Sequence, residues 1–199
     1  MGRSRRESIA LVPRFTTAYR SFSLQLPEVD ILRKFAAQKE RRDPVGLRHE
    51  INALCRGAIV LLSARVEAYV KEVGEVALDA MHAKHVPRAR LSPRVFYYAS
   101  KSILDEIQDT DDPDKIAAKV FSFLQTEGAL WSKTGPLPTP IDADCFSKGF
   151  SNPAYSKVSA YFGRFGYTDY SRALGRLLRA RYSATTNMIN HLVETRNNI

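Results

Sequence analysis

A chain of 199 residues with 44% hydrophobic and 10% aromatic content is long enough to bury one sizeable core, which excludes a largely disordered chain. The 30 Lys and Arg against 21 Asp and Glu leave a formal charge of +9, which suits a polyanionic partner as well as a plain solvated surface. Cys55 and Cys145 are the 2 cysteines, too few for a disulfide framework or a paired-thiol metal knuckle, and fit a reducing cytoplasm.

Residues 1–27 read as a basic N-terminal arm or a first helix, with Arg3, Arg5, Arg6, Arg14 and Arg20 against Glu7 and breaks at Pro13 and Pro27. A charged helix is predicted from Glu28 to Arg42, stopped by Asp43-Pro44. The dominant helix follows, from Leu47 to Ala83. Ile51, Leu54, Ala58, Leu62, Val66, Tyr69, Val70, Val73, Ala77 and Met81 keep one apolar stripe at three-and-four spacing. A rod from Ile51 to Met81 spans roughly 45 Å and needs partners along its length. Within it, Gly57 and Gly74 predict close helix approach or a bend.

The basic linker His85–Arg94 leads to a helix from Pro93 to Gln108, and Asp112-Pro113 predicts a capped start for the next, whose face carries Ile116, Val120, Phe123 and Leu124. Residues 132–152 hold three prolines and two glycines and read as a long excursion rather than an element. Asn152 is expected to cap a short helix ending near Phe165-Gly166, and Asp169 to cap a final helix running to the end of the chain. No internal repeat and no sustained period-two alternation is present. The predicted class is all-α: a single helical domain over residues 28–199, a bundle with one very long helix and an inserted Pro/Gly-rich loop.

Chemistry-bearing motifs are few. Asp79, His82 and His85 lack a second ligand pair of matching spacing, so no metal site is expected. The sequence also lacks a Gly-rich phosphate loop and a nucleophile elbow. Arg172, Arg176 and Arg179 share one face of the final helix and read as an RNA-backbone stripe or as a solvated face, and the interleaved Tyr161, Tyr167, Tyr170 and Tyr182 allow base stacking. The longest strongly apolar stretch, Ala58 to Leu62, falls far short of the ~20 residues that cross a bilayer, so no membrane partner is expected.

Three segments carry a family resemblance. Leu192-Val193-Glu194-Thr195-Arg196-Asn197-Asn198-Ile199 resembles the start of the HEPN superfamily signature, in which Arg followed by Asn, Asp or His leads to a His four to six residues after the Arg. Leu61-Leu62-Ser63-Ala64-Arg65-Val66-Glu67-Ala68-Tyr69-Val70 looks like the apolar-Ser-x-x-x-Glu-x-Tyr segment of the small prokaryotic HEPN ribonucleases. Asn152-Pro153 through Phe165-Gly166-Tyr167 resembles the helix and turn that precede the signature helix in that subgroup.

What the resemblance implies is a metal-independent, cofactor-free endoribonuclease of toxin or phage-defence type. It acts as a homodimer whose signature helices meet, with RNA as substrate and a cognate antitoxin or defence-complex protein as a further partner. Arg196 would hold the scissile phosphate, Asn197 would orient the phosphate or the His, and Glu67 would steady Arg196 across the bundle. The His itself falls at about position 201, beyond Ile199, so the expectation is a chain truncated before its acid–base group and inactive or nearly so. His191, five residues before Arg196, is expected to be structural. The rival expectation is a non-catalytic RNA- or protein-binding bundle in a defence or regulatory complex.

Overall fold

A computed structural model describes residues 16–199. The part of the predicted basic arm that falls on residues 1–15 lies outside the described residues. The rest is all-α, and among the described residues no strand forms beyond an isolated bridge between Pro87 and Pro136.

The scaffold is an antiparallel hairpin of α1 (Thr17–Arg42) and α2 (Arg48–Ala83). Helix α1 corrects the expected start at Glu28: Thr16 caps it by accepting the Tyr19 backbone N–H at 3.2 Å, and the helix runs through Pro27. Pro27 is exposed, and the single backbone bond that its ring removes is outweighed by the contacts of α1 with α2. Three of these set the register. Phe22 lies over Tyr69 with ring centroids 5.0 Å apart, Glu28 pairs with Arg65 at 2.7 Å, and Glu50 pairs with Lys39. Asp43 closes the turn by accepting the Gly46 N–H at 2.8 Å.

Helix α2 holds 36 residues, about 54 Å at 1.5 Å per residue, so it extends well past the reach of α1. Near Val70 and Gly74 it is also met by α7 (Tyr155–Arg164), whose Val158 and Tyr161 pack with Val70. Gly74 marks the crossing: a Cβ there would collide with the Tyr161 hydroxyl and the Phe165 ring. Gly57 has no such role, being exposed, with Leu32 as the nearest group to an added Cβ at 3.8 Å.

Two buried clusters fill the space around the C-terminal half of α2. One joins Val70 to Phe150, Val158 and Tyr161; the other joins Leu78 to Val95 and Phe146. Both draw on residues 132–152, so that excursion is less of a loop than its prolines suggest. It contains α6 (Ala143–Ser147), capped by Asp142, and delivers Leu137, Phe146 and Phe150 to the core.

The predicted helix over 93–108 is two, α3 (Pro93–Ala99) and α4 (Lys101–Gln108), separated by Ser100. The Ser100 hydroxyl is buried, donates to Glu127 at 2.8 Å and accepts the Trp131 indole N–H at 3.0 Å, which ties the joint to α5 (Pro113–Trp131). Asp112 caps α5 as expected, accepting from the N–H groups of Asp114 and Lys115. The final segment also divides, into α8 (Tyr170–Leu178) and α9 (Tyr182–Asn197), at Arg179, whose φ of 49° ends the first helix. No described helix is long and apolar enough to cross a membrane.

Candidate functional site

The α2 residues Ser63, Glu67 and Lys71 recur every fourth position and stack on one helix face. Helix α9 meets this face and brings Arg196 from its last turn. The Arg196 Nη1 donates to the Ser63 Oγ at 3.4 Å, the long end of hydrogen-bond range, and Ser63 is fully buried. A cation in the last turn of a helix is also favoured by the helix dipole.

Glu67 is mostly buried, with 19% of its side chain exposed, and its two oxygens are both engaged. Lys71 donates to Oε1 at 2.8 Å and the Asn152 backbone N–H donates to Oε2 at 3.2 Å. Burial alone would push the Glu67 carboxyl up. The hydrogen bonds from Lys71 and Asn152, with the charges of Lys71 and Arg196, outweigh it and hold the group below its ordinary value. Glu67 therefore stays ionised and acts on Arg196 through its field, while its direct contacts are Lys71 and Asn152.

Asn152 takes a different place from the expected cap. It adopts φ 68°, which Asn tolerates better than most side chains, and Pro153 behind it is buried. This turn aims the Asn152 N–H at Glu67 and leaves its own Oδ1 buried without a partner among the described residues. Helix α7 is capped from elsewhere: the Asn190 Oδ1 on α9 accepts the Tyr155 N–H at 3.1 Å.

Asn197 is exposed in the last turn of α9 beside Arg196. His191 is exposed as well, and its carbonyl accepts from the Thr195 hydroxyl at 2.8 Å. Arg172 and Arg176 are exposed on α8, where Arg172 lies 3.6 Å from Asp169. Arg179 is exposed but leaves their helix, since it occupies the left-handed turn, and the expected three-residue stripe on one continuous helix is therefore broken. Of the four tyrosines suggested for stacking, Tyr161 is buried and serves the core, whereas Tyr167 is 46% exposed. His82 ends on α2 and His85 lies beyond it at φ 49°, and no group of three or more His, Cys, Asp and Glu side chains converges among the described residues.

Lys71 and Asn152 contact Glu67, and the motif reading assigned neither of them to the site. The Glu67–Lys71 spacing of four was a usable signal. The reach of Asn152 across the bundle was not, because it depends on a left-handed turn after a buried excursion.

These features define an α-helical domain of the HEPN type. A family model described as RiboL-PSP-HEPN matches residues 28–199, and the chain belongs to that family. No curated protein and no solved structure matches it.

Proposed function

We propose that this domain is a metal-independent endoribonuclease of toxin or phage-defence type, working in the cytoplasm as a homodimer. The observation that carries the reading is Arg196, drawn from the end of α9 onto the buried Ser63 hydroxyl and facing the field of an ionised Glu67. A guanidinium held at one N–H keeps other donors for two phosphate oxygens, a grip that a point-like ammonium lacks.

The chemistry needs little else. The ribose 2′-oxygen bonds to the adjacent phosphorus as the bond from phosphorus to the 5′-oxygen breaks, leaving a 2′,3′-cyclic phosphate and a 5′-hydroxyl. One proton leaves the 2′-hydroxyl and one reaches the departing oxygen. Attack is intramolecular, so a proton carrier and a fixed cation are the main requirements. Arg196 supplies the cation, Asn197 orients the phosphate or the proton carrier, and Arg172, Arg176 and Arg179 hold the RNA backbone. The family signature that Arg196 and Asn197 resemble calls for a histidine four to six residues past the Arg as the proton carrier. A cognate antitoxin or a defence-complex protein is the further partner.

The test compares the chain ending at Ile199 with the chain extended by Ala-His-Gly after Ile199. The extended protein should cut RNA in the presence of chelator and leave cyclic-phosphate ends, and adding Arg196→Ala should abolish this. The unextended chain should be slower by about 10²–10⁴. Light scattering should return a dimer. An extended, folded protein that cuts none of a broad RNA panel sinks the reading.

One observation favours a second reading. Phe121 and Leu124 on α5 are 67% and 58% exposed, an apolar face suited to a protein contact. A non-catalytic binding bundle in a defence or regulatory complex would account for it, and protein or RNA binding without cleavage by the extended chain is its signature.

A further inference from the structure

Helix α5 is apolar on two faces and covered on one. It runs for 19 residues, and none of them is buried. The inner face carries Ile116, Phe123 and Leu130, all partly buried, and the Trp131 indole ties it to the α3–α4 joint at Ser100. The outer face carries Ala117, Phe121, Leu124 and Gly128 at spacings of four, three and four, with Val120 alongside and Trp131 at the rim. Ala117, Val120, Phe121 and Leu124 are exposed in the single chain. A helix that is apolar all round normally has neighbours all round, so the outer face lacks a cover.

The order of side-chain sizes on this face fits a second copy of itself. A two-fold contact sets the face against the same face reversed. Ala117 and Trp131 lie seven residues to either side of Leu124, and Phe121 and Gly128 lie three and four residues from it. Reversal brings Trp131 onto Ala117, Phe121 onto Gly128 and Leu124 onto its own copy, so each of the two aromatic rings meets a small residue. A Cβ added at Gly128 would meet no heavy atom within 4 Å, so the place for the Phe121 ring is open.

The charges agree. A two-fold axis juxtaposes like charges near it, and the centre of this face carries none. Lys119 and Glu127 turn to the inner side, where Lys119 donates to the Glu106 carbonyl at 3.1 Å and Glu127 accepts from Ser100 at 2.8 Å. Lys115 is taken up by Asp112 at 3.5 Å. The two ends differ in sign, with exposed Asp114 in the first turn and exposed Lys133 just past the last. Antiparallel pairing sets each of these ends against the other and opposes the two helix dipoles.

We propose that the outer face of α5 pairs antiparallel with the same face of a second copy, about an axis at Leu124. This contact is separate from the α2–α9 contact that carries Arg196, and it does not rest on the ribonuclease reading. A chain that uses a self-contact at each place assembles beyond a dimer, because it meets a different neighbour at each.

The test follows interchain disulfide formation in the full chain carrying Cys55→Ser and Cys145→Ser. With Leu124→Cys the axis brings two thiols together, whereas Leu177→Cys places a more exposed thiol on α8 and serves as the control. Mild oxidation should link the Leu124 variant at least about tenfold faster, as effective concentration within the contact dictates. A mixture of Phe121→Cys with Gly128→Cys should likewise link faster than Phe121→Cys alone. Equal rates in either comparison overturn the proposal. Sedimentation, with circular dichroism to confirm the helices, gives a reading free of thiol chemistry. Leu124→Asp should weaken self-association at least about tenfold, because it sets two like charges at the axis. Asp114→Lys should also weaken it, and Lys133→Asp added to that variant should restore it. Association unchanged by Leu124→Asp overturns the proposal and leaves the α2–α9 contact to account for it. A purified chain that stays monomeric, with the α5 face needed only to hold a different protein, overturns it as well.

Discussion

The Asn190 Oδ1 accepts the Tyr155 backbone N–H at 3.1 Å, so the helix that carries Arg196 in its last turn also caps α7. Placement of Arg196 and seating of α7 are thereby mechanically joined. Asn190→Ala should cost about 1 kcal/mol, the usual loss for a removed N-cap, or a fall of about 2–4 °C in Tm for a domain of this size. Asn190→Asp keeps an acceptor and should recover most of it. Calorimetry on the three proteins decides the point, and an alanine variant as stable as its parent would show that the bond carries no weight.

Glu67 predicts the acid limb of the stability curve. Its carboxyl is held below its ordinary value of 4.5, because the bonds from Lys71 and Asn152 and the charges of Lys71 and Arg196 outweigh the opposing effect of burial. A carboxyl depressed on folding contributes stability that is fully present above its unfolded pKa and is lost as pH falls through the folded one. The contribution is therefore intact at neutral pH and fades below about pH 4.5. Denaturant midpoints of Glu67→Gln should vary less with pH in that acid window than those of the parent. Parallel curves would remove Glu67 from the account.

At Gly74 the expected change is steric. Gly74→Ala places a methyl group against the Tyr161 hydroxyl and the Phe165 ring, both fixed in the core, and should cost about 1–3 kcal/mol. Gly57→Ala, whose methyl group would meet only Leu32 at an ordinary contact distance of 3.8 Å, should raise stability by up to about 1 kcal/mol through helix propensity. Opposite signs for the two substitutions in urea melts are the expected outcome, and a shared sign would contradict the close crossing of α7 over α2.

Arg179 separates a structural effect from an electrostatic one. Its φ of 49° favours glycine, so Arg179→Gly should stabilise the fold by about 1 kcal/mol. If the residue also contacts a phosphate, the same change should lower the slope of log affinity for RNA against log salt by about 0.7–0.9. Reversing charge at Arg172 and Arg176 as well should nearly flatten that slope. Filter binding across a salt series reads this directly, and an unchanged slope would move the RNA footprint away from α8.

The sequence states the repeating parts of this structure clearly and its exceptions poorly. The α2 stripe, the Asp112-Pro113 start of α5 and the stop at Gly166 follow from spacing and cap chemistry, and each forms close to where it is expected. The breaks at Ser100 and Arg179 are different. Neither residue is a helix stopper by type, and the helices divide there because a buried hydroxyl finds Glu127 and Trp131 in one case and the chain turns left-handed in the other. Pro27 errs the opposite way, since packing against α2 carries α1 through it. At the site, Ser63, Glu67 and Arg196 all stand in the segments that carry the family resemblance, but the bond from Arg196 to Ser63 is not readable from them. Asn152 was readable only as a cap, because its contact with Glu67 spans 85 residues.

The tether at Ser100 also determines what light can report about this molecule. Trp131 is its single tryptophan, and the indole is fixed to the Ser100 hydroxyl with Phe96 and Phe123 as ring neighbours. Intrinsic emission therefore watches the junction of α3, α4 and α5 and carries no signal from the α2–α9 contact at Arg196. An unfolding curve followed at the indole and one followed by helical circular dichroism will superimpose only if the two ends melt together. A gap between them would measure how independently the α2–α9 end can open.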